Sequence, residues 1–262
     1  MWLDLPALES GLNTSFVGRR VIYMTSTGST MDVARLEAEG GADEGSVVIA
    51  EEQSAGRGRF GRSWVSPAGK NLYFTLILRP TSAALRSLSV VAPLAVCRAI
   101  ETRTGLSPAI KWPNDVLVGG RKAAGILIES ELSGTSPRFA LVGIGLNVNF
   151  RIPADSEIAS IATSVSMELK REVSREELMS STLNEFEELL AGARADGAVL
   201  AAWRERLETL GRRVTVTFRE QTYEGMAEDV DEDGNLLLRT DDGVLMTVEA
   251  GEVTLRPPAP AG

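Results

Sequence analysis

Apolar residues in the first two thirds of the chain fall into short runs that turn residues separate. Runs rich in Val, Ile, Leu and Phe between Gly, Ser, Asn and Pro are typical of buried strands. Such runs predict strands at 20–24, 47–50, 71–78, 123–128 and 139–148. Helical periodicity predicts a helix at 31–39, which Gly40 and Gly41 end, and another at 85–102, where Pro93 predicts a kink or a new start.

The pattern changes from helical to strand periodicity near Gly211. Before it, Ser174 and Glu177 form an S-x-x-E capping box that opens a helix to about residue 193, and a second helix covers 197–210. After it, apolar and polar residues alternate at period two between DEDGN and DDG turns, which predicts four or five strands of a small β barrel. We therefore expect domains at 1–210 and 211–256 and a disordered tail at 257–262.

Composition excludes several classes of chemistry. The chain of 262 residues contains no His and one Cys, Cys97. The absence of His excludes a Ser-His-Asp triad, a Cys-His pair and a His-ligated metal. A single Cys excludes a Cys-cluster metal site and an internal disulfide. Catalysis must use carboxylates, Lys, Arg, Asn, Gln and hydroxyl groups.

Charge and hydropathy restrict the partners and the compartment. The net charge of −9 argues against a nucleic-acid surface, because phosphate neutralisation needs a basic face. No apolar run approaches the roughly 18–20 residues that span a bilayer, and the first ten residues do not resemble a signal peptide. We therefore expect a cytoplasmic protein.

The segment GRGRFGR at 56–62 is the most unusual in the chain. It matches the G-x-G-x-x-G string, but no helix pattern follows it and residues 79–80 are Arg-Pro where a dinucleotide fold needs an acidic residue. A protein-kinase loop is also excluded, because its partner motif needs a histidine. Three arginines and three glycines in an acidic protein favour an anion site, with backbone N–H groups and guanidinium groups turned toward phosphate. The alternative is an exposed basic loop without a ligand.

Three further motifs carry polar groups toward the same chemistry. KWPND at 111–115 predicts an extended Trp followed by a turn, with Lys111 and Asp115 on either side of it. RKAAGIL at 121–127 brings two cations into a strand of small residues, and GIGLNVN at 143–149 places two amides at period two. A plain turn with a core Trp and tight strand packing are the alternative interpretations.

Together, four motifs of this chain resemble those of biotin–protein ligase: EQSAGRGRFGRSWVSP, KWPNDVL, GRKAAGILIE and GIGLNVN. The resemblance covers the chain from about Ser26 to the C-terminus. The resemblance implies an α+β fold, in which a mixed β-sheet flanked by helices, like that of class II aminoacyl-tRNA synthetases, precedes a small SH3-like β barrel. It implies ATP-dependent formation of biotinyl-5'-AMP and transfer of biotin to a lysine of a biotin carboxyl carrier domain, with Mg²⁺ as cofactor. It also permits a homodimer. Some members carry an N-terminal DNA-binding domain, for which too few residues precede TSTGST, so we expect no DNA partner.

The resemblance also implies roles for residues at matching positions. The catalytic residues would be Arg59, Lys111, Asp115 and Lys122. Biotin would be bound by Ser29, Thr30, Met31, Gln53, Gly56, Arg57, Gly58, Arg59, Lys122 and Gly125. ATP or the adenylate would be bound by Arg57, Arg59, Arg62, Trp64, Lys111, Asn114, Asp115 and Asn147. The metal ligands stay unassigned, and Met31 stands where the family usually has Asn.

The chemistry of the two steps suits these residues. Biotin's carboxylate is already ionised at neutral pH, so adenylation needs cations rather than a base. The acceptor lysine must lose a proton, and Asp115 is our hypothesis for assisting it or for holding Mg²⁺. A ligase for lipoate or octanoate is the nearest alternative. A non-catalytic sensor or nucleic-acid-binding protein that uses the barrel is the alternative from another class.

Overall fold

A computed structural model describes residues 2–193, 197–218, 221–249 and 251–255. The first part contains α1 (Leu5–Ser10), β1 (Val21–Met24), α2 (Thr30–Glu39), β2 (Val47–Ala50), β3 (Leu72–Leu78), α3 (Ser82–Thr104), β4 (Ala109–Lys111), β5 (Asp115–Val118), β6 (Arg121–Ser133), β7 (Ser136–Leu146), α4 (Val165–Leu169), α5 (Arg175–Gly192) and α6 (Ala198–Glu205). The last part contains β8 (Arg213–Phe218), β9 (Gln221–Val230), β10 (Leu236–Thr240), β11 (Leu245–Val248) and β12 (Glu252–Leu255). The tail expected at 257–262 lies outside the described residues.

The large sheet is mixed and is covered by helices on both faces. Its seven strands run in the order β1-β2-β3-β7-β6-β5-β4, and only the β1–β2 pair is parallel among the pairs described. Successive residues of β2 point to opposite faces, so Val47 and Ile49 join the core beneath α3 and α5 while Val48 packs with α2. Burial on both faces explains why β2 and β3 are continuous apolar runs.

Helix α3 is the central helix of the larger core. Thr81 caps it by accepting a hydrogen bond from the backbone N–H of Ala84, and Gly105 ends it with φ of 73°. The helix continues across Pro93, so the expected new start is wrong. By length and composition α3 could also cross a membrane, although it contains no unbroken apolar run of that length. Two thirds of its apolar segment is buried in the structure, as in a core helix.

The helices before Gly211 agree with the prediction in part. Ser174 caps α5 through its Oγ, which accepts the backbone N–H of Glu177 at 3.1 Å. The second helix is shorter than expected, because α6 spans Ala198–Glu205 instead of 197–210. Helices α1 and α4 and the hairpin β4–β5 were not predicted.

The last five strands form an antiparallel sheet in the order β11-β10-β9-β8-β12, which confirms the predicted small barrel. Trp112 connects it to the large sheet: its backbone N–H donates to Thr209 Oγ1 and its indole Nε1 donates to the Gly234 carbonyl, each at 2.9 Å. One apolar core continues from Trp112 to Val214 and Leu236. The boundary between residues 210 and 211 stays a prediction.

Candidate active site

A cavity of about 660 Å³ opens where the α2 N-terminus, the loop after β2, the β4–β5 turn and the glycine-rich centre of β6 and β7 meet. Every residue that the sequence predicts for the site lines this cavity, except Gly56. The structure therefore brings together side chains from five separate segments. The assignment of each to biotin or ATP stays a prediction.

Gly56 lies behind the cavity wall. A Cβ atom at this position would lie 2.6 Å from the Trp64 carbonyl oxygen, 2.8 Å from Ser66 Oγ and 3.0 Å from Gln53 Nε2. The glycine therefore permits close packing of the loop against Gln53, and its role in binding biotin stays a prediction.

The GRGRFGR loop closes on itself. The backbone N–H of Gly58 donates to the Arg62 carbonyl at 2.7 Å, and that of Arg62 donates to the Arg59 carbonyl at 3.2 Å. Phe60 stands between them in the left-handed region, with φ of 56°. The N–H groups of Gly58 and Arg62 are therefore used within the loop, and binding of phosphate by the loop stays a prediction.

Carboxylates and an amide hold the loop arginines. Arg57 pairs with Asp32 at the start of α2 at 2.7 Å and with Glu129 on β6 at 3.7 Å. Arg59 Nη1 donates to Asn114 Oδ1 at 3.1 Å, so the loop also contacts the β4–β5 turn. These contacts place both guanidinium groups along the cavity.

Lys122 and Asp115 form an ion pair in the cavity wall. Lys122 Nζ lies 2.6 Å from Asp115 Oδ1, and both side chains are partly exposed. Lys122 also lies over the Trp64 ring, with 5.2 Å between Nζ and the ring centroid. Lys111 lies opposite Asp115 in the β4–β5 register and lines the same cavity. Two cations thus flank one carboxylate.

Two glycines make a flat surface for Trp64. Gly125 on β6 and Gly145 on β7 are direct cross-strand partners. A Cβ at Gly145 would lie 2.5 Å from Trp64 Cε2, and one at Gly125 would lie 3.0 Å from Trp64 Cζ3. Small residues in these strands therefore admit an indole ring. Trp64 Nε1 is buried and has no hydrogen-bond partner among the described residues.

Near α2, uncharged polar side chains line the cavity beside the Arg57–Asp32 ion pair. Gln53 Oε1 accepts the backbone N–H of Thr30 at 2.9 Å and its hydroxyl at 3.1 Å, while Gln53 Nε2 donates to Ser66 Oγ at 3.0 Å. Ser29 caps α2, and its Oγ accepts the backbone N–H of Met31. The Met31 side chain is buried, and Sδ would lie 2.6 Å from a Cβ at Gly143.

Asn147 is held at both ends of its amide. Its Nδ2 donates to the Thr163 carbonyl at 3.0 Å, and its Oδ1 accepts from Asn71 Nδ2 at 3.2 Å. The Asn71 carbonyl in turn accepts from Arg175, whose buried ion pair with Glu51 measures 2.7 Å. Asn147 therefore has protein partners as well as its place in the cavity wall.

The same buried ion pair perturbs a tyrosine. Tyr23 donates its hydroxyl to Glu51 Oε1 at 2.8 Å. Burial, together with this bond and the carboxylate charge, raises the pKa of Tyr23 to about 12.

Two parts of the cavity wall were not predicted from the sequence. The segment 150–162 contributes Phe150, Ile158 and Ile161, and Gly251 and Val253 reach the cavity from the small barrel. The first segment is fixed by the backbone, since Lys122 N–H donates to the Ile161 carbonyl at 2.9 Å. Neither part carries a motif, so their location depends on the fold.

Fold and cavity together define the class of biotin and lipoate protein ligases. The pattern of the Biotin/lipoate A/B protein ligase family matches residues 23–149, and that of the biotin protein ligase C terminal domain matches residues 209–256. The chain is 34% identical over 262 residues to the biotin--[acetyl-CoA-carboxylase] ligase of Mycobacterium tuberculosis, covering 95% of each chain. It is 34% identical to the bifunctional ligase/repressor BirA of Bacillus subtilis, covering 90% of this chain and 74% of that protein.

A solved structure agrees with these relatives. The biotin protein ligase of Aquifex aeolicus, in complex with biotin and ATP, superimposes with a TM-score of 0.76 at 30% identity, covering 91% of this chain and 99% of that one. The chain belongs to the biotin–protein ligase family.

Proposed function

We propose that this chain uses ATP to convert biotin into biotinyl-5'-AMP, with release of pyrophosphate, and then transfers the biotinyl group to a lysine of a biotin carboxyl carrier domain. The observation that supports this most directly is the division of the cavity. The uncharged hydrogen-bonding groups of Ser29, Thr30 and Gln53 line one part of it, and Lys111 and Lys122 line another. Biotin has the same division between a neutral ureido ring and a carboxylate.

In the first step, the biotin carboxylate attacks the α-phosphorus of ATP, the new C–O–P bond forms and pyrophosphate leaves. Both reactants are anions, so the barrier contains charge repulsion. Arg57, Arg59, Lys111 and Lys122 line the cavity and would offset it by electrostatic stabilisation. Lys122 is our candidate for contact with the carboxylate and the bridging phosphate.

The remaining roles are those that the resemblance to biotin–protein ligase implies. Biotin would contact Ser29, Thr30, Met31, Gln53, Arg57, Gly58 and Gly125, and the nucleotide would contact Arg62, Trp64, Asn114 and Asn147. The Trp64 indole lines this region and offers an aromatic face.

Mg²⁺ would be held mainly by the nucleotide. No group of three acidic, Cys or His residues that could enclose a metal occurs among the described residues. Asp115 supplies a carboxylate in the cavity wall, and Mg²⁺ commonly uses one or two carboxylates together with phosphate oxygens and water. Asp115 therefore fits as its protein ligand, and the ion would neutralise phosphate charge during adenylation.

In the second step, the acceptor amine attacks the mixed anhydride and AMP leaves. A free lysine with pKa about 10.4 is almost fully protonated at pH 7, so its ammonium must be bound and deprotonated. The Asp115 carboxylate already accepts the ammonium of Lys122 at 2.6 Å. We therefore assign Asp115 to binding the incoming ammonium and accepting its proton.

The partners and compartment follow from the same proposal. The acceptor would be the carrier domain of a carboxylase, and the reaction would take place in the cytoplasm. The net charge of −9 disfavours DNA or an anionic membrane surface as partner. A homodimer formed by sheet extension would use the edge at β1, since residues 206–208 hydrogen-bond to Ile110 along the β4 edge.

The test is a paired assay with purified protein, ATP and Mg²⁺, and with biotin or lipoate as the acid. Biotin-dependent exchange of pyrophosphate into ATP and labelling of a biotin carboxyl carrier domain are expected. Lys122→Met should abolish exchange, whereas Lys170→Met, at an exposed position, should not. Labelling with lipoate alone would replace biotin by lipoate in the proposal, and labelling with neither acid would refute a catalytic function.

A further inference from the structure

A series of hydrogen bonds connects Thr30 and Gln53 in the cavity wall to buried side chains behind them. Thr75 Oγ1 and Thr30 Oγ1 are 2.9 Å apart, and Thr30 Oγ1 contacts Gln53 Oε1. On the other side of the amide, Ser66 Oγ lies 3.0 Å from Gln53 Nε2 and donates to the Trp64 carbonyl at 3.0 Å. Thr75 and Ser66 are buried and do not line the cavity.

The donor and the acceptor of each hydrogen bond in this series can be assigned. The backbone N–H of Thr30 is always a donor, so the Gln53 atom 2.9 Å from it must be the amide oxygen. That oxygen also faces the Thr30 hydroxyl, which must therefore donate to it. Because the Thr30 hydroxyl has only one hydrogen, Thr75 must be the donor in the Thr75–Thr30 bond.

The donors and acceptors that the protein leaves unused here can be counted. Both lone pairs of Gln53 Oε1 accept from Thr30, and one Nε2 hydrogen goes to Ser66. Gln53 lines the cavity, so its second N–H is left to donate to a ligand. Ser29 Oγ accepts the Met31 N–H, which leaves the Ser29 hydrogen to donate, and Thr30 Oγ1 keeps one lone pair.

We infer that Thr75 and Ser66 are positioning residues. They hold the Thr30 hydroxyl and the Gln53 amide in the orientation that the Thr30 backbone N–H sets, and so favour a head group with a carbonyl oxygen beside an N–H. This inference rests on the proposed function, because a ureido ring has that arrangement. Neither residue touches the ligand. Their effect passes through the orientation of the Gln53 amide and the Thr30 hydroxyl.

Thr75→Val tests the first hydrogen bond of the series, because it removes the Thr75 hydroxyl and keeps the shape of the side chain. The KM for biotin should rise about fivefold to tenfold, the effect of one lost hydrogen bond, while kcat and the KM for ATP stay within twofold. Thr75→Ser keeps the hydroxyl and should restore the biotin KM. Thr182→Val is the matched control, since Thr182 is equally buried but donates to Leu178 within α5, away from the cavity.

Ser66→Ala tests the other end and does not disturb the sheet. The readout is the ratio of kcat/KM for biotin to that for 2-iminobiotin, whose protonated ring replaces the carbonyl acceptor with donors. The wild type should prefer biotin strongly, and Ser66→Ala and Thr75→Val should each reduce the ratio several-fold. In the wild type, the Gln53 side-chain amide resonances should shift when biotin is added.

Several results would overturn the inference. The first is an unchanged KM for biotin in Thr75→Val, and the second is an equal rise of that KM in Thr75→Ser. The third is an unchanged ratio of kcat/KM for biotin to that for 2-iminobiotin in Ser66→Ala and Thr75→Val. The fourth is that the Gln53 resonances do not shift when biotin is added. Failure of the proposed function gives a different result, because the wild type itself would then neither bind nor activate biotin.

Discussion

Replacing Gly145 with Ala should displace the Trp64 indole and thereby slow adenylation. The new Cβ would lie 2.5 Å from Cε2 and 2.6 Å from Nε1 of Trp64. Ordinary contacts between such atoms are about 3.5–4.0 Å, so the ring must move by about 1 Å. Gly145 lies in the centre of the sheet, paired with Tyr73 on one side and Gly125 on the other, so the backbone has little room to yield.

The size of the effect follows from that displacement. Misplacement of a positioning group by about 1 Å can cost about 100-fold in rate, and overpacking typically costs about 1–3 kcal/mol of unfolding free energy. We therefore expect kcat/KM for adenylation to fall about 100-fold while Tm falls by several degrees. Gly192→Ala is the control, because a Cβ there makes only an ordinary contact with Val199 at 3.4 Å.

The assay is biotin-dependent pyrophosphate exchange with thermal unfolding measured in parallel. Removing the obstructed ring tests the cause: Trp64→Ala and the double variant should have similar activities, because the two sites are in contact and their effects are not additive. A folded Gly145→Ala protein with kcat/KM within about threefold of wild type would refute the reasoning.

Three further perturbations test other parts of the molecule. Asp115→Asn should slow transfer to the acceptor about 100-fold or more, while the Kd for biotin, measured by calorimetry, stays within threefold; unchanged turnover would exclude Asp115 as the base. Asp32→Asn removes the 2.7 Å partner of Arg57 and should speed tryptic cleavage of the loop up to about fivefold, and biotin plus ATP should slow cleavage in both proteins; equal rates for the two proteins would mean that the pair does not hold the loop. Burial raises the pKa of Glu187, but hydrogen bonds from the backbone N–H groups of residues 15–17 outweigh it and hold the pKa below 4.5. Its stabilisation is therefore present above pH 4.5 and is lost as the pH falls through the depressed pKa. Glu187→Gln should lower the free energy of unfolding by about 1 kcal/mol at pH 7 and by progressively less in acid. A difference between the two proteins that stays constant in acid would contradict this.

The sequence predicted best those elements whose local pattern reflects burial on both faces. Residues 72–78 of β3 are all buried, and the continuous apolar run shows it directly. Strands β4 and β5 are only three and four residues long, and their pairing depends on contacts far along the chain. Local periodicity contains no record of such contacts, which is why this hairpin was missed.

The candidate site shows the same division between local and long-range information. The motifs supply the residue types, and all but Gly56 meet at one cavity. Spacing does not reveal that Lys122 pairs with Asp115, because that contact depends on the register of β5 against β6, which shifts after Val116. Gly125 and Gly145 admit the Trp64 ring, which comes from a distant loop and which the spacing of the motifs does not reveal.

The ion pairs in the site also explain how a protein without histidine can handle anions and an ammonium in one cavity. Arg57 and Lys122 each have a carboxylate partner, and these pairs are partly exposed. Pairs of this kind are worth roughly 0–1 kcal/mol, so exchanging the carboxylate for a phosphate oxygen costs little. In the proposed reaction, a phosphate oxygen that binds Lys122 would release the Asp115 carboxylate beside it. The exchange that binds the adenylate would therefore also free the carboxylate that we assign to the acceptor lysine.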